Sequence, residues 1–229
     1  LEEDFPDPAP GEGQVVIRVK AASLNYHDVF TCRGMPGIKI PMPMIIGLDI
    51  AGEIAEIGAG LKGWKSGEAV LVNPLDSVAP QNGLMGEMIH GGCAELCVVD
   101  ATRLIRIPDG CSFEQAAALP VAYGTAHRMM FSNGGIEAGE KVLILGASGG
   151  VGTAMVQLAK AMHCEVIAVT SSPDKVDALL ALGADEVIVH AKDTPFHKDA
   201  CIGEGVDMAF EAVGEPTFLS SMHSLKRGG

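Results

Sequence analysis

The stretch KVLILGASGGVG, residues 141–152, decides the fold of this 229-residue chain. Val142, Leu143, Ile144 and Leu145 form a short apolar run, the pattern of a strand buried on both faces. Four glycines follow within the next seven residues, and TAMVQLAKAM (153–162) continues as a helix. Strand, glycine turn and helix in that order aim backbone N–H groups and the positive end of a helix at one point, where a pyrophosphate can sit. Gly146 permits the tight turn, Gly149 and Gly150 leave bare backbone for the phosphates, and Gly152 lets helix pack closely on strand. Ala147, Ser148 and Val151 complete the loop. Dinucleotide binding along 146–152 is therefore expected. The plainer alternative is a glycine-rich connection between two core elements.

Toward the C-terminus the rhythm is βαβ. Strands are expected at 165–169, 186–189 and 206–210, and helices at 173–182 and 215–226, as in a doubly wound parallel sheet. Such sheets usually have six strands, so this one is expected to stop before its fifth, as a fragment of a longer chain. Toward the N-terminus the pattern changes to short β-branched runs at 14–20, 45–57, 68–72, 94–99 and 103–107. Gly- and Pro-rich spacers separate them, which suggests a closed or partly closed barrel. Ser112 reads as an N-cap, followed by helical stretches through 130 that Pro120 and Gly124 should break. The expected division is a substrate and catalytic domain over 1–124 and a dinucleotide-binding domain over 125–229.

Composition narrows the function. The chain is 48% hydrophobic, enough for a sizeable core, and carries a net charge of −13. That charge argues against nucleic acid and against an anionic membrane surface, both of which need a basic patch. No apolar run is long enough to span a bilayer. The opening LEEDFPDPAPGEG is acidic and Pro-rich, unlike a secretory or transit signal. The six cysteines lack CxxC spacing and read as reduced thiols of a cytoplasmic protein.

The blocks AASLNYHDVF, GLDIAGEIAEIGAGLKGWKSGEAV, GGCAELCVV, IPDGCSFEQAAALPVAYGTA, LILGASGGVG and ALGADEVI together make the chain resemble the medium-chain dehydrogenase/reductase superfamily over essentially its whole length. The resemblance implies an α/β protein: a GroES-like β-barrel followed by a Rossmann doubly wound parallel sheet. It also implies a small-molecule substrate and a homo-oligomer in the full-length protein. In the zinc alcohol dehydrogenase branch three side chains hold a catalytic zinc. The corresponding positions here are Asn25, Leu48 and Val121, none a competent ligand. The four-cysteine structural-zinc lobe is replaced by NPLDSVAPQNGLMGE (73–87). The chain thus resembles the zinc-free branch, with quinone oxidoreductases and enoyl reductases, and no metal is expected. The alternative is zinc held by His27, Asp28 or Asp49 in an altered geometry.

The second strand carries the cofactor signal. NAD-specific folds place a carboxylate at its end, whereas here Thr170, Ser171 and Ser172 follow Val169, with Lys175 close behind. Hydroxyls and an ammonium suit a 2′-phosphate, which points to NADP(H). Alternatively, Ser171-Ser172-Pro173-Asp174 caps the next helix and Lys175 is simply solvated. His190, where relatives resembling quinone reductase carry a Tyr, either contacts the phosphate or ends its strand.

By the resemblance, Thr125 lies beside the nicotinamide, and the Asn25–Tyr26–His27–Asp28 segment lines the substrate cleft. His27 suits proton transfer and Asn25 could donate to an oxyanion. Asn25, His27 and Asp28 are the catalytic candidates; the alternative is that they satisfy buried backbone groups. The Tyr that related enoyl reductases often carry in the loop at 33–37 is absent, which counts against a simple enoyl-reductase assignment. His90 is expected to fix a turn, and Met42, Met44, Met85 and Met88 either line an adaptable pocket or fill core. The expected function is zinc-independent, NADP(H)-dependent reduction of a quinone, enone or reactive carbonyl. The alternatives are an alcohol dehydrogenase-like protein with an altered metal site and a nucleotide-binding protein without turnover.

Overall fold

The computed structural model describes residues 5–76, 78–79, 82–191 and 195–229. The chain forms two compact units, one ending at Val121 and the other beginning at Ala122. The change falls inside a helix, a few residues before the boundary expected from the sequence.

The first unit is built on a five-stranded antiparallel sheet in the order β4-β1-β2-β3-β5. Its strands are β1 (Gln14–Ser23), β2 (Asp49–Ile57), β3 (Ala69–Val72), β4 (Leu96–Asp100) and β5 (Leu104–Arg106). Alternation buries Val15, Ile17, Ile50, Ile54, Val70, Val72, Cys97 and Val99 on one face as a single core. The apolar run at 45–48 does not extend β2 as expected. Gly47 there has φ 105°, and its N–H donates to the Asp28 carboxylate rather than to a strand. Helix α1 (Tyr26–Arg33) follows β1, and α2 (Phe113–Ala117) begins at Ser112, whose side chain accepts from the Gln115 N–H as the sequence suggested.

The connection over 73–87 is held by a side chain the sequence did not single out. Arg103 is fully buried and donates to the carbonyl oxygens of Pro74 at 2.7 Å and Gly83 at 2.9 Å. Asp76 accepts from the backbone of Val78 and Ala79 and from Thr102. Trp64 lies under the Arg106 guanidinium at 4.1 Å.

In the second unit, four parallel strands run in the order β8-β7-β6-β9. They are β6 (Lys141–Leu145), β7 (Glu165–Thr170), β8 (Glu186–Val189) and β9 (Met208–Phe210). Lys141–Leu145 pairs residue for residue with 165–169. Val142 and Ile144 face one apolar cluster while Leu143 and Leu145 face another, which is why the run has no polar alternation. Helix α3 (Pro120–His127) runs through Gly124 unbroken. That glycine is exposed with open space around it, and a helical glycine costs only about 1 kcal/mol. Helices α4 (Gly150–Ala161), α5 (Val176–Ala181) and α6 (Glu215–Ser224) complete the unit. All six cysteines are free, and no helix among the described residues is long and apolar enough to cross a membrane.

Replacing Arg103 by Met should leave the Pro74 and Gly83 carbonyls unpartnered and lower stability by about 2–3 kcal/mol, the scale of lost charge-assisted hydrogen bonds. Urea unfolding would show this as a lowered midpoint; an unchanged midpoint would remove Arg103 from its role as the pin of that loop.

Candidate functional site

The glycine turn sits where the carboxyl ends of the parallel strands meet. Gly146 has φ 62°, and the Gly149 N–H closes the turn onto the Gly146 oxygen at 2.9 Å. Ala147 donates to the Val169 oxygen at 3.0 Å, joining the loops after β6 and β7. Gly152 is buried, and a Cβ there would lie 2.3 Å from the Gly146 oxygen, so only glycine allows α4 to start so close to the strand. At Gly149 and Gly150 the added Cβ would meet only ordinary contacts, at 3.4 and 3.7 Å. Packing within the chain therefore does not demand glycine at those two exposed positions. Gly149 is the N-cap of α4, no side chain caps it, and the first turn contains no acidic residue. An exposed, uncapped N-terminus of a twelve-residue helix, flanked by bare backbone, fits a pyrophosphate. Val151 lies half-buried at the start of the helix.

Neighbouring loops gather around this turn. The Ser148 and Thr170 hydroxyls are 3.1 Å apart, and the His190 N–H donates to the Thr170 oxygen at 2.8 Å. Val213, after β9, packs near Gly146. Thr125 is exposed on α3, whose Ala122 faces Gly150. Ser171 and Lys175 are exposed, and Ser172 begins the short 3-10 turn Pro173–Lys175 without its side chain capping it. The serine hydroxyls are thus not engaged as helix caps. Lys175 lies 3.4 Å from the carboxylate of the neighbouring Asp174. The His190 ring packs edge-on against Phe196, and its buried Nδ1 has no partner among the described residues.

Glu211, also missed from the sequence, organises the loop after β9. Its carboxylate accepts from the backbone of Val213 and Gly214 and from the hydroxyls of Thr217 and Ser221. It caps the N-terminal end of α6, where negative charge is favoured. Burial pushes the carboxyl up, but the donors Ser221, Gly214, Val213 and Thr217 outweigh it and the net shift is downward.

In the first unit Asn25, Leu48 and Val121, the positions that the resemblance matches to zinc ligands, lie around one buried carboxylate, Asp49. Its Oδ2 accepts from Asn25 Nδ2 at 2.9 Å and from Ser23 at 3.1 Å, and its Oδ1 accepts from the Val121 N–H at 3.1 Å. Leu48, beside it, is buried. Burial, the largest influence, pushes the Asp49 carboxyl above its ordinary value, and the nearby Asp28 charge adds to the rise. Asp28 is also buried. It accepts from the Asn25 N–H at 2.7 Å and the Gly47 N–H at 3.0 Å. Both of its oxygens are occupied by backbone, so of the three catalytic candidates Asp28 fits the backbone-satisfying alternative. Asn25 is turned toward Asp49. His27 faces Glu87, with Nε2 2.8 Å from Oε2, at an angle outside hydrogen-bond geometry.

This donor set does not fit a tetrahedral zinc: Leu48 and the Val121 side chain offer no ligand atom, and Asn25, Asp28 and Asp49 are engaged with one another and with backbone. Among the described residues no cluster of three or more His, Cys, Asp or Glu side chains is arranged to hold a metal. A cavity of about 410 Å³ lies elsewhere in this unit, lined in part by Phe5, Met44, His90 and Cys93. His90 accepts from the Ile45 N–H, in keeping with a turn-fixing role. The four methionines do not form one pocket: Met85 is core, while Met42 and Met88 are exposed.

Comparison with known proteins fixes the family. Residues 11–109 match the alcohol dehydrogenase GroES-like domain and residues 150–229 the zinc-binding dehydrogenase domain. The chain belongs to the medium-chain dehydrogenase/reductase superfamily of oxidoreductases. It is 36% identical to an acryloyl-coenzyme A reductase of Sulfurisphaera tokodaii over 99% of this chain and 70% of that protein. It is 31% identical to a quinone oxidoreductase of Lama guanicoe over 100% of this chain and 66% of that one. Among solved structures it matches an NAD-dependent alcohol dehydrogenase with a TM-score of 0.90 at 33% identity, over 99% of this chain and 70% of that one. The superfamily fold, a GroES-like domain and a Rossmann-type parallel sheet, agrees with the expectation from sequence.

Because the Glu211 value is depressed on folding, its stabilisation is present above the ordinary glutamate value of 4.5 and is lost as pH falls through the depressed value. Glu211→Gln should lose about 1–3 kcal/mol at neutral pH and show a shallower decline on acidification than the wild type. Parallel acid-limb unfolding curves would contradict the assignment.

Proposed function

We propose that the chain is the larger part of a zinc-independent, NADP(H)-dependent reductase of carbonyl-conjugated C=C bonds. Enones and enoyl thioesters come first and quinones next. The observation that carries this reading is the Asp49 hydrogen-bond hub at the three metal positions. Without a Lewis acid, an alkoxide from an unactivated alcohol has no obvious stabiliser, whereas a conjugated alkene places the developing charge on a carbonyl that hydrogen-bond donors can hold. The acryloyl-coenzyme A reductase and quinone oxidoreductase relatives both carry names for substrates of this activated kind.

When bound, the dinucleotide supplies the hydride. In this reading residues 146–152 and the N-terminus of α4 take its pyrophosphate, and Thr125 lies toward the nicotinamide. Ser171, Ser172 and Lys175 take the 2′-phosphate, with His190 at its margin. The engagement of Lys175 with Asp174 makes the two serines the stronger part of that recognition. Asn25 and His27 are the residues that meet the substrate, one as a donor to the enolate oxygen and one as an acid. The full-length protein is proposed to be a cytoplasmic homo-oligomer.

Gly149→Val should abolish NADPH binding in a fluorescence titration while leaving the unfolding transition in place, because a Cβ at Gly149 would meet only an ordinary contact, the Gly146 oxygen at 3.4 Å. Ser171→Asp should move the NADPH/NADH preference in kcat/KM toward NADH by about tenfold. Metal analysis of the purified protein should give well below one zinc per chain. NADPH affinity undiminished in Gly149→Val, equal use of both cofactors by the wild type, or stoichiometric zinc would each overturn the corresponding element.

A further inference from the structure

His27 and Glu87 form a pairing that neither family membership nor sequence pattern assigns. Glu87 is a buried carboxylate, and among the described residues His27 is the one basic side chain within ion-pair distance of it. The His27 Nε2 is itself buried and points at Glu87, 2.8 Å from Oε2. About a quarter of the His27 side chain remains exposed, 27% against 11% for Glu87. The other acid beside His27 on α1, Asp28, has both oxygens held by the Asn25 and Gly47 N–H groups and is not free to compete.

We propose that Glu87 is the positioning residue for His27 and that His27 donates the proton that completes alkene reduction through its other ring nitrogen, Nδ1. The proposal rests on the reductase reading above. A carboxylate facing Nε2 selects the ring form with a hydrogen on Nε2, which leaves Nδ1 as the nitrogen that exchanges a proton with substrate. The off-angle contact is of the kind that aligns when a ligand orders the site. After hydride addition to the β-carbon, the former C=C electron pair rests on the α-carbon and carbonyl oxygen as an enolate. The α-carbon forms its new C–H bond as the Nδ1–H bond of the imidazolium breaks, and that bond pair returns to the ring. The neutral ring keeps its Nε2 hydrogen toward Glu87 and regains a proton from solvent. The alkene is reduced by two electrons and the nicotinamide oxidised by two.

The test uses the full-length protein, NADPH and an α,β-unsaturated ketone or thioester in deuterated water, with the face of α-deuteration read by NMR. The wild type should give one α-epimer. His27→Asn should lower kcat by about 10²-fold, the scale of a lost general acid, and give mixed epimers as water protonates either face, with NADPH affinity unchanged. Glu87→Gln, which preserves shape, should lower kcat less and erode the same facial selectivity, and Glu87→Asp should restore part of it. A merely structural Glu87 would alter stability and leave the label on one face. Wild-type turnover with single-face labelling retained in His27→Asn or in Glu87→Gln overturns the pairing alone. No wild-type turnover of any activated alkene overturns the reductase reading and the pairing with it.

Discussion

The second unit depends on one close approach. Helix α4 can begin directly above the turn that leaves β6 because residue 152 has no side chain; a Cβ there would fall 2.3 Å from the Gly146 oxygen. Given that contact, the unpaired N–H groups of the first helical turn collect beside the carboxyl end of the sheet. The loops after β7, β8 and β9 join them through Ala147, Thr170 and Val213. The two neighbouring glycines at 149 and 150 answer to a different need, since the protein leaves space outside them. Packing explains Gly152, and bare backbone at Gly149 and Gly150 suits the pyrophosphate of the proposed cofactor.

The first unit solves a different problem. The three positions that the resemblance matches to zinc ligands present an amide, a leucine and a valine around the Asp49 carboxylate. Three donors offset the desolvation of that carboxylate only in part, which is why its protonation shifts upward. The same hub ties the end of β1 through Ser23, the start of α1 through Asn25 and the start of α3 through Val121. A hydrogen-bonded carboxylate thus ties together the segments that meet at the metal positions. In the proposed reaction, donors and acids from the chain take the place of a metal, which suits substrates activated by conjugation.

Local features were legible in the sequence and non-local ones were not. The strand-turn-helix unit at 141–162 could be read because its residues are neighbours and its physics is steric. Ser112 announced its cap for the same reason. Gly124 misled because an exposed helical glycine carries a modest cost that the surrounding helix absorbs, and 45–48 misled because an apolar run can be a buried loop as well as a strand. Arg103, Glu211 and Glu87 act on partners that the fold alone brings near, so no spacing revealed them. Both oxygens of Asp28 accept from backbone N–H groups, one of them on Gly47, a partner distant in sequence, while Asp174, legible as part of a helix cap, lies beside Lys175.

The proposed activity turns on hydride transfer to a conjugated carbon. It is tested by the fate of deuterium from NADPH labelled at C4 on the transferred face, with the full-length protein and an α,β-unsaturated ketone or thioester. One deuterium is expected at the β-carbon of the saturated product. Deuterium at the carbonyl carbon, as in reduction to an alcohol, or a product without label, would contradict it.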